Sequence, residues 1–172
     1  MKRPPAKKVS ASAIQEQREQ VFPHHLNPAG ILFGGEIAVW GDKVAALCAM
    51  QHCGMPVVTV VQEVRHEEAV KLGEWLLFKA SVNRVWRSSC EVGIKVFAEN
   101  LFTQELRHVA TGYFVMATTK RTTSGARKWM PEVLPETTEE KKRFCEAALR
   151  NNRRKREEKK RKEKRNNHQE TA

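Results

Sequence analysis

The chain of 172 residues lacks the features that define several protein classes. It has no run of about 18 consecutive apolar residues, the length that a membrane-spanning helix needs. Its first residues contain no apolar core of a signal peptide, which argues against secretion and predicts a cytoplasmic location. The four cysteines are irregularly spaced, so we predict free thiols rather than a disulfide framework, and no metal site.

The net charge of +11 is concentrated at the two ends of the chain. Residues 141–172 contain 14 Lys and Arg against five Asp and Glu, residues 1–8 contain four basic residues, and the remainder is nearly neutral. This distribution predicts one folded domain with charged flanks. The predicted parts are a basic extension at 1–13, the domain at 14–122, a linker at 123–136 and a basic C-terminal helix or tail at 137–172.

The C-terminal part begins with a capping box at Thr137 to Glu140, which predicts a helix start there. Beyond Arg150 no apolar residue occurs before Ala172, so we expect this stretch to bury nothing and to be helical or disordered. Residues 150–165 could contact nucleic acid or another anionic surface weakly and without sequence specificity. Because no aromatic residue is interleaved, the run offers no stacking platform for single strands.

The most informative segment is residues 27–42, NPAGILFGGEIAVWGD. Its glycine pair opens a helix-forming stretch over residues 35–50 that is apolar around nearly its whole circumference, which predicts a buried helix. Asp42 lies on this helix, and a carboxylate there is costly unless it has a partner or a function. It could be a structural hydrogen-bond acceptor, yet its helical neighbours are small and leave room for a ligand.

The start of that helix supplies the other half of a possible site. Free N–H groups at Gly34 and Gly35 favour developing negative charge, and glycine lets another group approach the backbone closely. Asn27 adds an amide that can donate and accept hydrogen bonds. Donors at a helix start with a nearby carboxylate are typical of an acyl-transfer site.

Alternating apolar residues predict long strands downstream of the helix. In residues 90–99 the apolar positions alternate with Glu91, Lys95 and Glu99, and residues 76–82 and 109–116 continue the sheet. One helix followed by strands without intervening helices indicates an α+β domain, with an antiparallel sheet wrapped around the helix. Such a sheet leaves an edge strand exposed, so we expect a homodimer.

The chain resembles the hotdog-fold acyl-CoA thioesterases, the family of acyl-CoA hydrolases and cytosolic acyl-CoA thioester hydrolases. The matching pattern is Asn27, Gly30, Phe33-Gly34-Gly35 and Asp42. The resemblance spans residues 14 to 122, and further segments match in order: 57–61, 70–74 with Ala69 and Glu74 in place of the usual Pro and Asp, 85–89 with Trp86 in place of Gly, and 110–115.

The resemblance implies hydrolysis of acyl-CoA to a carboxylic acid and CoA, with coenzyme A entering only as part of the substrate and no cofactor. It implies that Gly35 stabilises the oxyanion and that Asp42 is a general base or nucleophile. It also implies that Asn27 holds the attacking water or the thioester carbonyl. It also implies that Asn27 and Asp42 of one site come from different protomers, and that dimers group as a trimer of dimers. Candidate substrate-binding residues are Gly34, Thr59, Arg84, Arg87, Ser88 and Ser89.

Two alternatives remain open. A hotdog hydroxyacyl-thioester dehydratase would pair His24 or His25 with Glu36 or Asp42 as base and acid. A non-catalytic hotdog scaffold would bind acyl-CoA without turnover, or tether RNA through its basic tail.

Overall fold

The computed structural model describes residues 3–169, in which a long helix lies against a five-stranded antiparallel sheet. The elements in chain order are β1 (Lys7–Lys8), β2 (Ile14–Gln20), α1 (Gly34–Cys53), β3 (Val57–His66), β4 (Trp75–Val85), β5 (Ser89–Asn100), β6 (Glu105–Thr118), β7 (Val133–Leu134) and α2 (Thr138–Gln169). The strand order is β2-β4-β5-β6-β3 for the sheet, with a separate parallel pair, β1-β7. This arrangement confirms the predicted α+β hotdog architecture.

The alternating pattern places one apolar side of the sheet against α1. On adjacent strands Phe78 lies opposite Val96 and Val82 opposite Val92, and all four are buried. Strand β3 pairs only with β6, so it forms one edge of the sheet. That edge is the one next to the carboxylate on α1.

Helix α1 ends at Gly54, whose positive φ of 64° allows its N–H to reach the carbonyl of Met50 at 2.8 Å. Its sheet-facing residues, among them Trp40 and Val44, are buried. The expectation of burial all round is wrong for the single chain, because one sheet can cover only one side of a helix. Val39, Leu47 and Met50 are 51%, 40% and 40% exposed.

Helix α2 lies on the opposite face of the sheet. Its predicted capping box is present: Thr137 Oγ1 accepts the N–H of Glu140 at 3.1 Å, and Glu140 Oε2 accepts the N–H of Thr137 at 3.0 Å. The expectation that nothing beyond Arg150 is buried is wrong, because Arg154 is only 12% exposed and pairs with the fully buried Glu91 of β5 at 2.7 Å. Within residues 3–169 no helix is long and apolar enough to span a membrane.

The N-terminal segment is fastened to the segment that precedes α2. Lys7 pairs with Val133 in the β1-β7 ladder. The buried His52 of α1 accepts a hydrogen bond from the Ser12 hydroxyl at 3.2 Å and donates to the Pro131 carbonyl at 3.1 Å. Parts of the predicted extension and linker therefore pack on the domain, and the domain boundaries themselves stay predictions.

Candidate active site

Asp42 is held by a hydroxyl from the edge strand. The Thr59 hydroxyl donates a hydrogen bond to Asp42 Oδ1, and Thr59 Oγ1 also lies 3.3 Å from Met116 Sδ. Asp42 is half-buried, so the carboxylate is oriented by a protein partner while it stays accessible from solvent. The structure thus brings together two of the residues singled out in the sequence.

The two glycines at the start of α1 have different surroundings. A Cβ on Gly34 would lie 3.1 Å from His66 Nε2, whereas a Cβ on Gly35 would meet nothing within 4 Å. The N-cap residue, Phe33, makes no side-chain capping hydrogen bond. The Glu36 N–H donates to the Phe33 carbonyl at 3.0 Å, so the N–H groups before it, at Gly34 and Gly35, are the ones that α1 could offer to an oxyanion, and a ligand can approach at Gly35 without a steric clash.

Asn27 shapes the turn that leads into this helix. Its Oδ1 accepts the N–H groups of Ala29 at 2.9 Å and Ile31 at 3.4 Å, and Gly30 turns the chain with φ of 75°. Because Oδ1 is engaged locally, the amide Nδ2 is the group that Asn27 can offer to a ligand. A cleft of about 340 Å³ is lined by residues that include Asn27, Gly34 and His66.

The carboxylate lies away from these donors within one chain. Asp42 follows Gly35 by seven residues, which places both on the same side of the helix but about 10 Å apart along its axis. A single thioester carbonyl cannot span that distance. Within one chain the candidate donors (Asn27, Gly34 and Gly35), called the donor half-site below, are therefore separate from the candidate carboxylate and its partner (Asp42 and Thr59), called the carboxylate half-site.

The four remaining candidates lie around the turn between β4 and β5 and are engaged elsewhere. The Arg84 guanidinium lies 4.0 Å from the Phe144 ring of α2, and the Arg87 guanidinium lies 5.0 Å from the Trp129 ring. The carbonyls of Ser88 and Ser89 accept backbone N–H groups at 2.9 and 2.8 Å. Within residues 3–169 none of these four side chains hydrogen-bonds to Asp42, and their role in substrate binding stays a prediction.

Three histidines lie near α1, and one of them was not foreseen. His66 ends β3 with its ring beside Gly34, and no spacing in the sequence signalled it. The Phe22 N–H donates to His25 Nδ1 at 3.1 Å, and the His25 ring packs edge-on against Trp40 at 4.9 Å. Within residues 3–169 of the single chain, neither His24 nor His25 hydrogen-bonds to Glu36 or Asp42, the acids that the dehydratase alternative requires.

Comparison with known proteins identifies the family of this chain. Residues 29–101 match the Thioesterase superfamily. The chain is 36% identical over 125 residues to Protein VdlD of Helicobacter pylori, covering 72% of this chain and 70% of that protein. It is 31% identical over 122 residues to the uncharacterized acyl-CoA thioester hydrolase YkhA of Bacillus subtilis, covering 70% of each.

Solved structures resemble nearly the whole chain. The acyl-CoA hydrolase of Staphylococcus aureus, solved with butyryl coenzyme A, coenzyme A and coenzyme A disulfide, superposes with a TM-score of 0.83 at 30% identity over 93% of this chain and 96% of that one. Variants of that enzyme with an aspartate, a threonine or an asparagine replaced by alanine match at 30% identity with TM-scores of 0.84, 0.83 and 0.84, over 93–94% of this chain and 95–98% of theirs. A hexameric acyl-CoA thioesterase matches with a TM-score of 0.82 at 31% identity over 89% of this chain and 97% of that one. Sequence and fold agree: this chain belongs to the hotdog-fold thioesterase superfamily.

Proposed function

We propose that this protein hydrolyses acyl-CoA thioesters to a carboxylic acid and free coenzyme A. The observation that carries the proposal is the Asp42 carboxylate of α1, which the Thr59 hydroxyl of β3 orients. Gly35, at the start of the same helix, is open to a ligand. The relatives' names support this chemistry. The alanine variants of the S. aureus enzyme also support it, because they replace the three residue types found here at positions 27, 42 and 59.

The chemistry needs few groups because the leaving group is a thiol. A thiol of pKa about 8.5 departs as a thiolate without a strong general acid. Water adds to the thioester carbon as the carbonyl oxygen becomes an oxyanion, which the N–H groups near Gly35 stabilise. The carbon–sulfur bond then breaks, releasing the thiolate of coenzyme A and the carboxylic acid. No cofactor is required, and coenzyme A takes part only as a portion of the substrate.

Asp42 acts on this reaction in one of two ways. As a general base it removes a proton from the attacking water. As a nucleophile it forms an anhydride that water then hydrolyses. In both cases the Thr59 hydroxyl holds one carboxylate oxygen, so the other is directed at the reacting atoms. Asn27 Nδ2 donates to the water or to the thioester carbonyl.

The complete site forms between two copies of the chain. A two-fold axis beside α1 would bring the donor half-site of one copy to the carboxylate half-site of the other, which overcomes their separation of about 10 Å along the helix. Val39, Leu47 and Met50 on α1, together with Val58 and Val60 on the edge strand, are exposed in the single chain and would be buried by this pairing. The hexameric relative supports a trimer of such dimers.

The remaining parts of the proposal are peripheral. Ser88 and Ser89 are candidates to line the acyl or pantetheine channel of the dimer. Nucleic-acid contact through residues 150–165 receives no support from the comparisons, and Arg150 and Arg154 in that run are paired with Glu91. The buried thiols of Cys48 and Cys90 are compatible with a cytoplasmic location.

The test is release of free coenzyme A from acetyl-, octanoyl-, palmitoyl- and benzoyl-CoA by the wild type, Asp42→Ala and Glu36→Gln. We expect turnover of at least one ester, a loss of about a hundredfold or more in Asp42→Ala, and near wild-type turnover in Glu36→Gln, an acid on the same helix. Absence of turnover with every ester, or full turnover by Asp42→Ala, would contradict the proposal.

The shared site has its own test. Asn27→Ala and Asp42→Ala are each expected to be inactive, but co-expressed they form mixed dimers with one intact site. About a quarter of wild-type activity should return on random mixing. If no activity returns although mixed dimers are isolated, both residues of a site come from one chain.

A further inference from the structure

A second cleft lies on the outer face of the sheet, across the sheet from α1 and from both half-sites. It is enclosed by the short helix Val9–Ala11, strands β4 and β5 and the first turn of α2, with a volume of about 280 Å³. This volume is slightly below the range of about 300–1,000 Å³ for drug-sized ligands, so any occupant is small.

The mouth of this outer cleft carries uncompensated positive charge. Lys79 and Lys95 are directly opposite each other on adjacent strands, and both line the cleft. Like charges in that position destabilise a sheet unless something lies between them. Among the residues that the structure describes, neither lysine forms an ion pair with an acid; Lys79 Nζ lies 5.6 Å from the Phe97 ring.

Two further charged groups line the cleft, and they do not neutralise the lysines. Arg143 is a third cation, and it is paired with Glu139 at 4.0 Å. Glu140 is the acid, but its Oε2 already accepts the N–H groups of Glu136 at 2.7 Å and Thr137 at 3.0 Å at the start of α2. These bonds leave the charge of Glu140 in place, but within residues 3–169 Glu140 forms no ion pair with Lys79 or Lys95, so both lysines can bind an anion.

The inner end of the cleft contains a buried acceptor. Asn83 is 3% exposed, and its Nδ2 donates to Glu91 Oε1 at 3.3 Å, which fixes the orientation of the amide. A Cβ on Gly93 would lie 2.5 Å from Asn83 Nδ2 and 3.0 Å from Oδ1, so glycine at this position leaves the room that the amide needs. Within residues 3–169 that Oδ1 has no hydrogen-bond partner. Buried polar atoms are normally satisfied, so this oxygen requires a donor.

We propose that the outer cleft binds a small anion that also carries a hydrogen-bond donor. The anionic group lies between Lys79 and Lys95, and the donor hydrogen-bonds to Asn83 Oδ1. Lys79 and Asn83 are four residues apart on one strand, about 13 Å between Cα atoms, and an extended lysine covers roughly half of that. A ligand of a few heavy atoms bridges the remainder. Hydrogenphosphate and short hydroxycarboxylates share this chemistry.

Matched pairs of probes test the proposal on the intact, full-length protein by equilibrium dialysis. Near neutral pH hydrogenphosphate keeps one O–H and sulfate keeps none, at the same charge and size. 3-Hydroxybutyrate and butyrate form the corresponding pair of carboxylates. We expect the donor-bearing member of at least one pair to bind about fivefold or more tightly than its partner, because it alone satisfies the buried oxygen. The pair that discriminates identifies the source of the anion.

Variants place the binding in this cleft. The double change Lys79→Gln and Lys95→Gln should abolish the binding, while the control pair Lys120→Gln and Lys128→Gln, exposed lysines away from the cleft, should retain it. Asp42→Ala should also retain it, which separates this cleft from the proposed active site. Failure of all four probes to bind, equal affinity within both pairs, or unchanged binding in the double variant would overturn the proposal. The probe comparison uses wild-type protein, so it does not depend on any variant folding.

Discussion

Replacing Glu91 by glutamine should be among the most damaging single polar changes in this protein. Glu91 is fully buried on the outer face of β5, beneath α2. Arg150 donates to it at 2.8, 3.2 and 3.3 Å, and Arg154 donates at 2.7 Å. The Arg150 guanidinium also lies 3.7 Å from the Tyr113 ring. Glutamine preserves the size of the side chain but leaves two largely buried cations without their common counter-charge.

The magnitude follows from the burial of all three groups. Removing one partner from a buried ion pair costs about 3–5 kcal/mol, because the remaining charge is uncompensated. A natural domain has only about 5–15 kcal/mol of stability, so a loss of about 3–5 kcal/mol in Glu91→Gln would be roughly a fifth of it or more. Glu146 faces the same Arg150, but at 3.8 Å and with a side chain that is 41% exposed. Glu146→Gln removes a surface pair and should cost less than about 1 kcal/mol.

Urea unfolding followed by circular dichroism measures both variants. The expected result is a much lower midpoint for Glu91→Gln and a nearly unchanged one for Glu146→Gln. Limited proteolysis should cut α2 of Glu91→Gln at concentrations of protease that leave the wild type intact. If Glu91→Gln unfolds within about 1 kcal/mol of the wild type, the cluster does not hold α2 and the reasoning from burial fails.

Three further predictions concern α1 and the site. Gly41→Ala should lower the free energy of unfolding by about 1–3 kcal/mol in urea titrations, because the new Cβ would lie 2.9 Å from the buried Phe114 ring. Gly35→Ala should leave the free energy of unfolding unchanged, because its Cβ meets nothing within 4 Å, but it should reduce the release of coenzyme A. Thr59→Val should reduce turnover roughly ten- to a hundredfold by removing the hydroxyl that holds the carboxylate, while Thr59→Ser retains most of it. Burial lowers the pKa of His52, so the unfolded chain binds the proton more readily than the folded one. The urea midpoint should therefore fall as the pH drops below about 6.5. A midpoint that stays constant from about pH 7.5 to 5 would contradict this prediction.

Much of the fold could be predicted because the inner side of the sheet has a clear period. The alternation in residues 90–99 identified which positions of β5 face α1, and the glycine pair marked the start of the helix. The same alternation placed Glu91 on the other side of the strand, where a solvated acid was the simple expectation. It could not reveal that a helix from the chain's far end would cover it, because a strand's period carries no information about what packs on its polar side.

The candidate site was predictable only in part. Asn27, Gly35 and Asp42 lie within one short segment, so their pattern is visible in the sequence. The hydrogen bond from Thr59 depends on strand register, and the position of His66 beside Gly34 depends on where β3 ends. The partial exposure of α1 could not be predicted from one chain, since composition does not distinguish a helix buried by its own sheet from one buried by a second copy.

The pairing of β1 with β7 makes the two ends of this chain one cooperative unit. Lys7 and Val133 are neighbours although 126 positions separate them, and Lys8 also pairs with Glu136, two residues before α2, at 2.8 Å. Trimming the first dozen residues would remove the fastening at the base of α2, although the cut lies far from it in sequence. Faster hydrogen exchange in the first turns of α2 would then report a deletion at the opposite terminus. A deletion at the N-terminus of this protein is therefore a change to its C-terminal helix as well.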